Sequence, residues 1–123
     1  MPPTWRAFRA DPDDAAPSIA RALATQQLDV QSWDQVQDQM VSSFLHLNEG
    51  LDSTRERYIV RWERSNDGTL AIFVRHEMQT RIMKNGVPAW NNTEHDPEKE
   101  ADLLDAITKQ LERLHQPPPS ARR

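Results

Sequence analysis

Tyr58-Ile59-Val60-Arg61-Trp62-Glu63-Arg64 leads through Ser65 into Asn66-Asp67-Gly68, and Thr69-Leu70-Ala71-Ile72-Phe73-Val74-Arg75-His76-Glu77-Met78-Gln79 follows. Both flanking runs alternate with a period of two, the spacing that sends successive side chains to opposite faces of a strand. Between them, Asn-Asp-Gly is turn chemistry, so the runs read as one antiparallel hairpin. Arg61, Glu63, Arg75 and Glu77 mark the wetter face. Tyr58, Val60, Trp62, Leu70, Ile72 and Val74 are therefore expected to face the core. A slip of one residue would put all six in water.

Downstream, Asn85-Gly86 signals a second turn, and Val87 to Trp90 adds extended chain. Asp96-Pro97 then opens a helix, with Asp as N-cap and Pro at the first helical position. Glu98 and Glu100 suit the positive end of its dipole. Leu103, Leu104, Ile107, Leu111 and Leu114 form its apolar stripe, and Pro117-Pro118-Pro119 stops it. Residues 116–123 read as a disordered tail rich in Pro and Arg.

Upstream, Asn48 to Glu56 reads as a polar loop. Gln39 to Leu47 reads as a strand with apolar residues on both faces, which leaves its inward face open. Leu28 to Trp33 is a shorter strand. Ahead of it a helix capped by Asp13 or Asp14 carries Ala16, Ile19, Ala20, Leu23 and Ala24 on one face. Residues 1–14 form a flexible or strand-forming arm holding Trp5 and Phe8. The order (β)αβββα describes an α+β domain over residues 15–115. It predicts an antiparallel sheet of three to five strands with two helices packed on one face and the other face open.

The chain has 123 residues, 37% hydrophobic and 28% charged, with a formal net charge of −4. Interleaved acidic and basic residues weigh against nucleic acid, whose binders carry a basic field. The same balance weighs against an electrostatic membrane-surface role. The absence of cysteine excludes disulfides, thiolate nucleophiles and zinc ribbons. No apolar run approaches the ~18 residues of a membrane helix. Met1-Pro2-Pro3 starts no signal peptide pattern, having neither a basic start nor an apolar segment.

Catalytic and metal chemistry finds little support. His46 and His76 lie on expected strands and, with Glu49 or Glu77, would offer metal ligands, but no ligand spacing accompanies them. Half-buried strand histidines are the preferred reading. His95-Asp96 precedes a helix, where Asp serves as cap. Ser42-Ser43 lacks the glycines of a nucleophile elbow. The acidic cluster from Glu94 to Glu100 reads as a solvated helix entry. Asn91-Asn92-Thr93 is formally a glycosylation acceptor, without a secretory signal to give it meaning. Trp33, Trp62, Trp90, Tyr58 and Phe73 would suit base stacking, but core packing is their ordinary use. No enzyme, no cofactor and no metal is expected.

The open sheet face is the functional lead. Ile59, Ala71 and Phe73 give it an apolar centre, and Arg61, Glu63, Arg75 and Glu77 a charged rim, the composition of a protein-binding patch. Ile59, Arg61, Phe73, Arg75 and Glu77 are the candidate interaction residues. A lid formed by the arm with Trp5 and Phe8 is the alternative use of that patch.

Several pieces follow a further pattern: Ala20-Arg21-Ala22-Leu23 through Leu28-Asp29-Val30, Gln39-Met40-Val41-Ser42-Ser43-Phe44, and Arg57-Tyr58-Ile59-Val60. Thr69-Leu70-Ala71-Ile72-Phe73-Val74, Lys84-Asn85-Gly86-Val87-Pro88-Ala89-Trp90 and Leu103-Leu104-Asp105-Ala106-Ile107 complete it. Over roughly residues 15–114 this order resembles one domain of the NlpB/DapX family, the lipoprotein C component of the outer-membrane β-barrel assembly machinery. The resemblance implies a helix-grip-like fold and a periplasmic, outer-membrane-associated accessory role without catalysis. The implied partner is an envelope assembly component or a secreted client, bound by a monomer or homodimer. Membrane contact would come only through a lipid anchor, which this chain lacks. A cytosolic immunity or secretion-adaptor protein and a small-ligand-binding domain are the alternatives.

Overall fold

The computed structural model describes residues 4–47, 53–92 and 95–114. In chain order the elements are β1 (Thr4–Phe8), α1 (Ala15–Thr25), β2 (Val30–Asp34), β3 (Gln39–Ser42), β4 (Leu45–His46), β5 (Thr54–Arg64), β6 (Leu70–Lys84), β7 (Val87–Asn92) and α2 (Pro97–Leu114). A short 3-10 turn, Pro12–Asp14, precedes α1.

The β5–β6 hairpin is the spine. It pairs from Thr54↔Thr80 to Arg64↔Leu70 without a break, so Val60 faces Val74 and Trp62 faces Ile72 across the strands. At its tip, Gly68 takes φ +83°, a left-handed value that glycine adopts without a Cβ clash. The Asp67 carboxylate accepts from the Ser65 hydroxyl and from the Thr69 amide and hydroxyl. Those bonds, Ser65 first, hold its pKa at about 2. The second turn is a two-residue hairpin, Lys84↔Val87, with Asn85 and Gly86 both at positive φ, the geometry that matches strand twist.

Among the described residues the sheet is antiparallel and has seven strands. β1, β6, β5, β3 and β2 form its main path; β4 also pairs with β5, and β7 with β6. β1 covers the start of β6, from Leu70 to Val74, and β7 its end, from Gln79 to Lys84. Among the described residues, no strand pairs with residues 75–78 of β6 on that side.

Both helices lie on one face. Tyr58, Val60, Trp62, Leu70, Ile72 and Val74 are buried there against Ile19, Leu23, Leu103, Leu104, Ile107 and Leu111. The alternation expected of the hairpin holds from Glu56 to Trp62 on β5 and from Leu70 to His76 on β6. Two stripe assignments change. On α1 the buried set is Ala15, Ala16, Ser18, Ile19, Ala22 and Leu23, while Ala24 is exposed, because helix and sheet meet one position earlier than the alanines suggest. On α2, Leu114 is 41% exposed, since the helix runs past the sheet.

Helix α1 is entered differently from expectation: Asp14 makes no side-chain cap bond, and Asp11 accepts from the Asp13 amide to start the preceding turn. At α2 the Asp96 carboxylate accepts from the Glu98 amide, as an N-cap does. The expected strand over residues 39–47 is two strands. Met40 and Ser42 are buried under the helices, but beyond Ser43-Phe44 it is Leu45, paired with Glu56, that packs toward the core. The interruption shifts the alternation by one and resolves why both faces of that segment look apolar. Strand β5 also begins earlier than the hydrophobic pattern suggests, so Glu56, expected in a loop, is a buried strand residue.

Candidate functional site

Odd-numbered residues of β5 and β6 face away from the helices. The register sets Ile59 beside Arg75, Arg61 beside Phe73 and Arg57 beside Glu77. All five candidate interaction residues, Ile59, Arg61, Phe73, Arg75 and Glu77, therefore share the face turned away from the helices. Four of them, with Gln39, line a shallow cleft of about 140 Å³.

The centre is organised by rings and guanidinium groups. Trp5, on β1 and 58% exposed, stacks on Phe73 with centroids 5.8 Å apart, and the Arg61 guanidinium lies 4.5 Å from the Phe73 centroid. The arm thus puts one tryptophan on this face and Phe8 on the other, where it packs against the core. It is an edge strand and not a lid. Further along, Arg55 lies 3.8 Å from the Phe44 centroid and 3.9 Å from that of Trp90, a cation–π sandwich. Arg57 lies 4.6 Å from the Phe44 centroid and pairs with Glu77 at 2.8 Å.

Sequence reading missed the charge distribution. Arg55, Arg57, Arg61, Arg75 and Arg81 from β5 and β6 point to this face against Glu63 and Glu77, in a chain of net charge −4. Composition averages over faces; the period-two parity of each arginine was the available signal. The five aromatic residues proposed as a stacking set do not form one platform. Tyr58 and Trp62 are buried under the helices, while Phe73 and Trp90 lie on the opposite face.

A second cluster sits on the helix side. Glu100, 0% exposed, receives the Thr4 hydroxyl at 2.6 Å, the His76 amide at 2.7 Å and the His95 Nδ1 at 2.9 Å. His76 stands edge-tilted to Tyr58, with ring centroids 5.4 Å apart. Its Nδ1 accepts from the Asp96 amide, so the ring proton sits on Nε2 and points at the Glu56 carboxylate, 2.7 Å away. Lys99 donates to the same carboxylate at 2.6 Å.

Two expectations are corrected here. Glu100 is not part of a solvated helix entry, because its buried carboxylate accepts from β1, from β6 and from the residue ahead of α2. His46 and His76 do not meet: His46 pairs with Arg55 on the open face, whereas His76 is buried beneath α2. Glu49 lies outside the described residues. Among the described residues no group of three or more His, Cys, Asp or Glu is placed to hold a metal ion. With His76 1% and Glu100 0% exposed, the cluster works as an internal tie.

Burial pushes the Glu56 carboxyl up, but hydrogen bonds from Lys99 and then His76 outweigh it and hold the pKa below its usual value. Burial pushes the Tyr58 phenol upward, reinforced by the Glu56 charge. A lowered carboxyl pKa adds stability that is complete above the unfolded value, about 4.3, and is lost as pH falls through the folded value. Glu56→Gln is expected to cost about 1–2 kcal/mol near neutrality, discounted because Lys99 is half-exposed. That cost is expected to shrink as the medium goes from about pH 6 to about pH 3. Urea unfolding of both chains across this range checks it; a cost independent of pH contradicts the assignment.

An apolar cleft of about 230 Å³ also lies between α1 and the β2 edge, lined by Ala16, Pro17, Ala20, Val30, Trp33 and Met40. It is smaller than the roughly 300–1,000 Å³ of ordinary ligand pockets. No helix among the described residues is long and apolar enough to cross a membrane. No family model matches the chain, and a search of curated proteins returns no match.

Proposed function

We propose that this protein is a non-catalytic interaction module that receives a protein partner on the open face of its sheet. The reading is carried by one observation: an apolar centre of Trp5, Phe73 and Ile59, ringed by Arg61, Arg75 and Glu77, left uncovered by the helices. Flat patches with aromatic and arginine anchors inside a charged rim suit recognition of a folded or extended partner. Following the segment resemblance, the proposed setting is the periplasm, as a helix-grip-like accessory domain of envelope assembly. A cytosolic adaptor role would use the same face, and fractionation of native cells separates the two.

The test is the chain carrying Phe73→Ala with Arg75→Glu. Removing one anchor and reversing one rim charge is expected to cost about 2 kcal/mol or more in binding, roughly thirtyfold in Kd. Both side chains lie outside the main core, so the circular dichroism melt is expected to stay within a few degrees. Undiminished partner capture by this variant removes the sheet face as the interface.

A further inference from the structure

The open face holds more positive charge than its own carboxylates neutralise, and the surplus is aligned. Arg57 pairs with Glu77 and Arg61 with Glu63. Arg75 and Arg81 have no carboxylate partner among the described residues, and Arg55 donates its Nε to the neutral Gln79 amide at 2.8 Å. Gln79 is also the register partner of Arg55. The three surplus guanidinium groups therefore stand at the levels of residues 75, 79 and 81 of β6, a line of about 20 Å at roughly 3.3 Å per residue.

The rings beside them are already engaged. Phe44 carries Arg55 and Arg57, Trp90 carries Arg55, and Phe73 lies against Trp5 and Arg61. Nucleobases need free ring faces to stack on. A guanidinium laid on a ring keeps its N–H edge free, and that edge matches a carboxylate in bidentate fashion. An extended polypeptide presents alternate side chains to one side at the same repeat as the strand beneath it.

Resting on the reading that this face takes a protein, we propose that the segment it takes is an extended acidic stretch. It lies along β6, with alternate Asp or Glu side chains meeting Arg75, Arg55 and Arg81. The charge excess of the face, in a chain that is acidic overall, selects such a segment and steers its approach.

The probe is a fluorescein-labelled peptide of about twelve residues, Glu alternating with Ser, long enough to span the line at roughly 3.3 Å per residue. Its Glu→Gln counterpart and an oligothymidylate of similar length accompany it, titrated against the full chain by anisotropy and by amide shift mapping. The Glu peptide is expected to bind in a salt-sensitive manner and to shift the amides of Arg55, Arg75, Arg81 and Trp90. Arg75→Glu with Arg81→Glu is expected to weaken that binding roughly tenfold or more with an unchanged melt. Equal binding by the Gln peptide at this face overturns the acidic requirement while the face itself stands as an interface. Tighter binding by the oligothymidylate overturns it in favour of nucleic acid. A Glu peptide that shifts nothing on this face also overturns it, and the Phe73→Ala, Arg75→Glu chain then decides separately whether the face binds protein.

Discussion

Glu100→Ala is expected to lower the stability of the protein by about 3–5 kcal/mol, the cost of removing one member of a buried charged hydrogen-bond network. The carboxylate serves three donors: the Thr4 hydroxyl at the start of β1, the His76 amide of β6 and the His95 ring ahead of α2. The His76 amide matters most. It faces the side of β6 between the segments that β1 and β7 cover, so among the described residues no strand carbonyl stands ready to replace the lost acceptor. Glu100→Gln keeps one carbonyl oxygen and is expected to cost less, about 1–3 kcal/mol. Urea unfolding by circular dichroism measures both, and an unchanged denaturant slope would confirm that the folded and unfolded states keep their surface areas. Equal, small losses in the two variants would mean that the amide finds another partner.

Trp62→Ala is expected to cost about 3–5 kcal/mol, the range for deleting a large aromatic from a packed core. Trp62 is 5% exposed, opposes Ile72 in the hairpin register and belongs to the main hydrophobic core. The other tryptophans provide the contrast. Trp5 is 58% exposed, Trp33 46% and Trp90 36%. Their replacement is expected to stay near ±0.5–1 kcal/mol, as for surface positions. Trp62→Ala is also expected to remove the blue-shifted part of the intrinsic fluorescence. A mild loss with unchanged emission would mean that this side chain is not in the core, and the hairpin register would have to be redrawn.

The hairpin and α2 were legible because their signals are local. Turn residues, period-two alternation and a capped apolar stripe each lie within about 20 residues of chain. The candidate surface was legible to the same extent, since parity alone sends Ile59, Arg61, Phe73, Arg75 and Glu77 to one side once the hairpin is recognised. Features that depend on distant segments were not. β1 pairs with β6 across more than sixty residues, and its mixed sequence Thr-Trp-Arg-Ala-Phe carries only a faint alternation. The shift of face at Ser43-Phe44 reflects two separate pairings with β5, which no single period can encode. Glu56 and Glu100 look like solvent-facing acids in sequence; burial becomes tolerable only because Lys99, His76, His95 and Thr4 converge on them. The Arg55 sandwich likewise needs Phe44 and Trp90 from opposite sides of the hairpin.

The stretch of β6 between its β1 and β7 pairings has a consequence for cooperativity. Midway along the longest strand, the hydrogen-bonding job of a neighbour is done by one carboxylate on the C-terminal helix. Docking that helix and completing the sheet border are accordingly a single event. A species with a finished sheet and a loose helix would hold a bare amide in an apolar setting, so layer and cover rise and fall together.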